Sequence, residues 1–248
     1  MTALSINLNK IALIRNSREG NYPDLITHAQ HCIQYGADGI TVHPRPDQRH
    51  IRPSDVHQLA ELVRPMSEIE FNIEGNPFAE PLADYPGLLA LVEETRPDQC
   101  TLVPDADHQL TSDHGFDLKT QGTQLSPIIQ QIKSLGVRVS LFMDPDLEQI
   151  QLASDLGADR IELYTGPYAA AWGTERMEDI FQQHLAAAEL ANALGLGVNA
   201  GHDLNLHNLG KFAQIENLLE VSIGHAFTVD SLNMGMASAI RDYRALLD

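Results

Sequence analysis

Short runs rich in β-branched residues recur along the chain: LSINL (4–8), GITVH (39–43), EIEFNIE (68–74), QCTLVP (99–104), RVSLFMD (138–144), RIELYTG (160–166), GVNAG (197–201) and EVSIGHA (220–226). Runs of this length between turn residues predict eight strands. The segments between them place apolar residues at helical spacing, as in DLITHAQHCIQYG, SDVHQLAELV, LLALVEET, SPIIQQIKSLG and LEQIQLASDLG. Several finish in glycine (Gly36, Gly136, Gly157, Gly195), the usual left-handed stop after a helix. Ser54, Ser126 and Asp146 read as N-caps or first-turn residues.

Strands that alternate with helices pair in parallel through right-handed crossovers, and eight such units close a barrel. The predicted fold is therefore α/β, a single (β/α)₈ TIM barrel over residues 1–248. No GxGxxG follows the first strand, which argues against an open dinucleotide-binding sheet. The longest polar connections are 166–172 and DADHQLTSDHGFDLKTQG (105–122), and the second is long enough to form a lid. No Pro- or Ser-rich linker divides the chain.

Length agrees with this reading, because a barrel of this type typically takes about 250 residues. Cys32 and Cys100 lie far apart with no CxxC pattern and read as small core hydrophobes of a reduced protein. The N-terminal MTALSINLNK has no signal-peptide layout, and no apolar run approaches the ~18 residues of a membrane span, so the expected location is the cytoplasm. A net charge of −18, from 34 acidic and 16 basic residues, argues against nucleic acid or an anionic membrane as partner. A small phosphorylated ligand remains compatible, because surface charge beyond about 8 Å is screened and a local basic pocket can dominate.

In such a barrel the C-terminal strand ends converge on the active site. Those ends offer Asn7, Asn9 and Lys10, then His43 and Arg45, Glu74, Thr111 in the next loop, Asp144, Glu162, His202, and Gly224 with His225. His43 and His202 read as catalysts in this position. Glu74 would face a crowded mouth, which suits proton transfer; its alternative is a buried ion pair with an arginine. Asp144, in FMDPD, reads as helix-start chemistry, and Glu162 stays open between catalysis and orienting a neighbouring histidine. His28, His31, His57 and His184 fall in helix patterns, and His108 and His114 in the candidate lid. His202 and His207 hint at metal, but no HExxH or paired-Cys motif supports one, so none is expected.

Two features point to phosphate. VNAGHDLN and VSIGHAFT each end a strand in Gly-His before an expected helix, where backbone amides attract anions. Arg45 and His50 can grip a second anion, while Arg49 stays unassigned.

INLNKIALIRNSR, GADGITVHPRPDQRHI, FNIE, VSLFMD, VNAGHDLNLHN and IGHA resemble the pyridoxine 5′-phosphate synthase family, which closes the ring in de novo vitamin B6 synthesis. The resemblance runs from residue 4 to the C-terminus. It implies a TIM barrel, usually an octameric assembly, that condenses 1-deoxy-D-xylulose 5-phosphate with 3-amino-2-oxopropyl phosphate. No metal or organic cofactor is implied. By position, it makes His43 the general base, Glu74 a second acid/base group and His202 the proton donor. It assigns Arg45, His50 and Thr111 to the pentulose phosphate, and Asn7, Arg18, Gly224 and His225 to the amino-ketone phosphate.

Three departures stand out. Asn9 and Lys10, expected near the pentulose phosphate, replace an Asp-His pair common in the family, and Asn9 cannot act as a base. Asp203 replaces a usual Gly; its N–H could bind phosphate if its carboxylate points away. The loop GNPFAEPLADYPG is longer than in many relatives. Two competing readings follow: an imine-forming sugar-phosphate aldolase or isomerase using Lys10, and a non-catalytic phosphometabolite-binding protein.

Overall fold

Alternation within the strands sorts this molecule into an apolar outer shell and a polar interior. The computed structural model describes residues 1–106 and 108–247. Its first half runs β1 (Ala3–Asn7), α1 (Asn9–Asn16), α2 (Leu25–Gln34), β2 (Gly39–Val42), α3 (Pro53–Val63), β3 (Glu70–Gly75), α4 (Leu88–Thr95) and β4 (Gln99–Leu102). Then follow α5 (Leu118–Ser134), β5 (Arg138–Met143), α6 (Leu147–Asp155), β6 (Arg160–Leu163), α7 (Gly166–Ala171), α8 (Met177–Ala193) and β7 (Gly197–Ala200). The chain closes with α9 (Leu209–Phe212), β8 (Leu218–Ile223), α10 (His225–Met234) and α11 (Met236–Ala245). Every strand pairs in parallel with the next, and β8 returns to β1, so the sheet is a closed eight-stranded barrel, a (β/α)₈ TIM barrel.

Strand side chains alternate between faces. One set, including Ile6, Ile40, Ile73, Leu141, Ile161 and Val221, is fully buried in the core cluster with the helices. The other set is polar and turns inward. Ser5 and Thr41 hydroxyls meet at 2.7 Å, and Thr101 donates to Asn72 at 3.1 Å. Gln99 on β4 donates to Glu220 on β8 at 3.3 Å, and since those strands are not neighbours the contact crosses the barrel interior. Barrel interiors of this type are commonly filled by branched aliphatics. Here apolar burial lies between sheet and helices, and the interior is a hydrogen-bonded network, as buried polar groups require. Burial pushes the Glu220 carboxyl up to about 7 although Arg160 opposes the shift.

The predicted strands all appear. Gly36, Gly136, Gly157 and Gly195 adopt positive φ after their helices. Asp146 caps α6 by accepting from the Glu148 and Gln149 amides, and Ser54 lies in the first turn of α3. Both cysteines are buried. Burial pushes the Cys32 thiol up to about 12 and the Cys100 thiol higher still.

Three expectations need correction. The 166–172 connection is not a polar loop but carries the short helix α7, with Tyr168 and Ala171 buried. Ser126 is not a helix start: α5 begins at Leu118, with Asp117 accepting from the Lys119 amide, and Pro127 sits inside the helix. Ser-Pro resembles start chemistry, but the apolar face continues upstream through Leu118, Gly122 and Leu125, and packing extends the helix. The candidate lid is correspondingly shorter, because 118–122 are helical; Asp107 within it lies outside the described residues. Likewise, Gly201-His202 does not open a helix directly. Turns intervene before the four-residue α9, whereas α10 starts at His225. Among the described residues no helix is long and apolar enough to cross a membrane.

Candidate active site

A cavity of about 370 Å³ opens at the C-terminal strand ends. Its wall contains Asn7, Asn9, Lys10, His43, Arg45, His50, Glu74, Thr111, Glu162, His202, Asp203, Gly224 and His225. Arg18 is not among the lining residues; it follows the end of α1 and is exposed. The chain concentrates basic groups after β2 because that loop supplies one wall of this cavity.

The β2–β4 wall is buried and charge-paired. His43 is 5 % exposed, with Nδ1 3.6 Å from Glu74 Oε2 and Nε2 3.3 Å from Asp105 Oδ2. Burial alone would lower its basicity, but the neighbouring carboxylates, Asp105 first and then Glu74, prevail and raise the imidazole to about 9. The ring is thus an imidazolium near neutral pH, the form from which it can donate a proton. Asn9 accepts the His43 backbone N–H at 2.9 Å, and Asn7 links Asn9 to Glu74 through bonds of 3.0 and 3.3 Å. Asn9 therefore has a local positioning contact, independent of any phosphate.

His50 differs sharply from His43. Burial and the charges of His43, Arg45, Arg49 and Lys10 push it down to about 3. Its Nδ1 accepts the Ile51 N–H at 2.9 Å, so the neutral ring carries its proton on Nε2. It can donate to an anion, but without a charge of its own. The loop that carries it is braced from below: Arg15 binds Asp55 through both guanidinium nitrogens at 2.6 and 2.9 Å and donates to the His50 carbonyl at 3.0 Å.

Opposite lies the β7 wall. A Cβ at Gly201 would sit 2.2 Å from the Ser222 carbonyl oxygen, so only glycine lets β7 end this close to β8. His202 follows with φ +37 and is only partly buried. Its Nδ1 lies 2.7 Å from Asp203 Oδ2 and its Nε2 2.8 Å from Thr111 Oγ1. The hydrogen bond from His202 holds the Asp203 carboxyl below its ordinary range. The Asp203 N–H points at Thr165 Oγ1, 3.4 Å away. On β6, burial and the charges of Glu74 and Glu220 raise the Glu162 carboxyl well above its ordinary value.

Asp105 is the main residue the sequence reading passes over. It is buried, and its carboxylate forms ion pairs with both His43 and Arg45. A carboxylate three residues past Leu102, where β4 ends, was an available signal, obscured because the stretch reads as the start of a lid. Leu110, Ser112 and Phe142 also line the cavity. His184, by contrast, is fully buried on α8, with ring nitrogens 2.8 and 3.0 Å from the Ile180 and Tyr164 carbonyl oxygens, and is structural. Among the described residues no group of three or more His, Cys, Asp or Glu is placed to hold a metal ion.

A family model described as pyridoxal phosphate biosynthesis protein PdxJ matches residues 4–248. This chain belongs to the PdxJ family. Among curated relatives, pyridoxine 5′-phosphate synthase of Xanthomonas campestris pv. campestris (strain B100) is 56 % identical over 247 residues, covering 99 % of this chain and 96 % of that protein. The synthase of Xylella fastidiosa (strain M23) is 54 % identical, covering 100 % of this chain and 95 % of that protein. Among solved structures, 3-hexulose-6-phosphate synthase from Salmonella typhimurium aligns with a TM-score of 0.65 at 16 % identity, covering 99 % of this chain and 98 % of that one. At that identity the likeness concerns the fold alone. In this PdxJ-family barrel Asn9, Lys10 and Asp203 all line the cavity, whereas the loop GNPFAEPLADYPG does not.

Proposed function

We propose that this barrel condenses 1-deoxy-D-xylulose 5-phosphate with 3-amino-2-oxopropyl phosphate to give pyridoxine 5′-phosphate, phosphate and water. Membership of the PdxJ family and relatives of 54–56 % identity that bear the synthase name support it. The observation that carries the reading is a single cavity that brings together His43, Glu74 and His202, from β2, β3 and the end of β7, beside Arg45 and Lys10. Simple binding of a phosphometabolite has no need of three proton-transfer groups.

The chemistry explains the number. The substrate amine forms an imine with the other substrate's ketone, phosphate is eliminated, and water is lost around ring closure. Protons therefore move at several atoms, and one group cannot serve all of them. His43 and Glu74 act as a coupled pair on one wall. His202 delivers protons from the other, and Glu162, its carboxyl raised by burial and by the charges of Glu74 and Glu220, serves as an auxiliary group beside them. Arg45, the neutral His50 and Thr111 take the pentulose phosphate. Asn7 and the start of α10 at Gly224 and His225 take the amino-ketone phosphate, where first-turn amides favour an anion. Arg18 is exposed and does not line the cavity, so its place at the second phosphate rests on the family resemblance alone.

The same reading places the reaction in the cytoplasm and in a homo-oligomer, an octamer by the family resemblance. Exposed Leu13 and Ile14 of α1, with Val229 and Leu232 of the neighbouring α10, supply apolar surface that assembly would cover. The test is direct: purified protein with both substrates should form pyridoxine 5′-phosphate, seen by absorbance, and release phosphate. His43→Ala and Glu74→Ala should both abolish it. A wild-type chain that binds pyridoxine 5′-phosphate without turnover would contradict the proposal, and borohydride trapping of substrate on Lys10 would favour an aldolase.

A further inference from the structure

Two buried carboxylates on this chain hold a buried arginine, and they do different things. Asp55 grips Arg15 beneath the site, where both groups face only protein. Asp105 grips Arg45 at the cavity wall, and the same Oδ2 lies 3.3 Å from His43 Nε2. Arg45 also donates to the Gln109 carbonyl at 3.0 Å, and Arg49 to the same oxygen at 2.7 Å, which fastens the Asp105 loop to the β2 loop. Glu74 faces the other ring nitrogen at 3.6 Å, and Asn9 holds the His43 backbone. The ring therefore has a carboxylate at each nitrogen.

We propose that Asp105 is a positioning residue of this site, whose one carboxylate orients the His43 imidazole towards Glu74 and holds the Arg45 guanidinium in place. The inference deepens the reading of His43 as a proton-transfer group and rests on it.

A buried carboxylate is costly unless its partners repay the lost hydration. Both partners of Asp105 line the cavity, so the arrangement fixes functional groups rather than joining two parts of the scaffold. This follows the logic by which a third group orients a base through its far nitrogen. The titratable and charged groups that face His43 are Glu74 from β3, Asp105 from the loop after β4, and Arg45 and the neutral His50 from its own loop, with Lys10 of α1 lining the same space. Of the two carboxylates, Asp105 contributes more to raising the imidazole, so its removal should be felt more strongly. The charges left would be Glu74 against Arg45 and Lys10. One carboxylate can be shared by a proton-transfer group and an anion grip only at a cost in independence: whatever anion engages Arg45 also alters the field at His43.

The test is a titration of the histidine imidazole signals by ¹H–¹⁵N NMR on the full chain, with His43→Gln identifying the resonance. The wild-type midpoint should lie near 9. Asp105→Asn, which keeps the shape and removes the charge, should lower it by about 1–3 pH units and move the alkaline limb of kcat/KM by the same amount. Asp105→Glu should restore most of the midpoint while kcat stays reduced, because the longer side chain keeps the charge but displaces the ring. A folded Asp105→Asn protein with an unchanged His43 midpoint would overturn the proposal. So would a wild-type midpoint at or below the ordinary histidine value, a result that stands even if Asp105→Asn does not fold. The midpoint requires no turnover, so a chain inactive as a synthase would still report on Asp105. An active chain with an unshifted His43 would refute Asp105 alone.

Discussion

His43 and His202 are the same residue type at equivalent strand ends, yet the barrel gives them opposite surroundings. His43 sits 5 % exposed between two carboxylates and is held as an imidazolium. His202 lies at the rim, paired with the adjacent Asp203 and with Thr111, and edge-on to Tyr164 at 5.6 Å. One wall of the cavity is built from buried, paired charge and the other from accessible hydrogen bonds and aromatic faces. A histidine's position along a strand does not determine its charge state. The groups that reach it from other strands do.

The largest difference between the two histidines lies in catalysis. His43→Gln and His202→Gln should each lower kcat by ~10²–10⁴-fold, the usual contribution of a general acid or base. Only the first should remove an alkaline limb near 9 from the pH profile, measured as initial rates of product formation across the alkaline range. Loss of that limb in the His202 variant instead would reverse the assignment.

Next comes the brace under the β2 wall. Asp55→Ala leaves Arg15 buried and unpaired and should cost about 3–5 kcal/mol in chemical denaturation. The β7 rim has no comparable buried pair, so its variants should be mild by the same measurement. Stability against pH gives a smaller effect of definite sign. The His43 pKa is raised on folding, so its contribution, at most about 3 kcal/mol, is complete below the ordinary histidine pKa near 6.5 and is lost as pH rises through about 9. Wild type should therefore lose stability over that interval more steeply than His43→Gln, and parallel curves would break the comparison. Smallest is Thr111→Val, which removes the partly exposed hydrogen bond to His202 together with the hydroxyl proposed to meet the pentulose phosphate, and should cost about 1.5–3 kcal/mol in kcat/KM, on the order of tenfold to a hundredfold. A loss as large as that of His202→Gln would show that the rim is as tightly coupled as the buried wall.

The order of strands and helices was legible because each strand carries its own alternation: Leu4-Ser5-Ile6-Asn7, Ile40-Thr41-Val42-His43 and Phe71-Asn72-Ile73-Glu74 each put apolar residues outward and polar residues inward. The cavity wall was legible for the same reason, since the last inward residue of a strand must face the mouth. Through-space partnerships were not. Nothing along the sequence pairs Asp105 with His43, because that contact depends on how the loop after β4 folds across the β2 loop. Neutrality of His50 was hidden likewise, since three nearby cations besides His43 and its burial produce it together. Ser126 misled because local Ser-Pro chemistry was outweighed by the apolar face that carries α5 upstream to Leu118.

In the proposed reaction His43 and Glu74 transfer protons as one unit, and a double-mutant cycle on kcat/KM checks this. His43→Ala, Glu74→Gln and the double variant would be compared in the formation of pyridoxine 5′-phosphate from both substrates. Strong non-additivity is expected, with the double variant little worse than the poorer single variant. Losses that simply multiply, or a single variant with wild-type turnover, would contradict it.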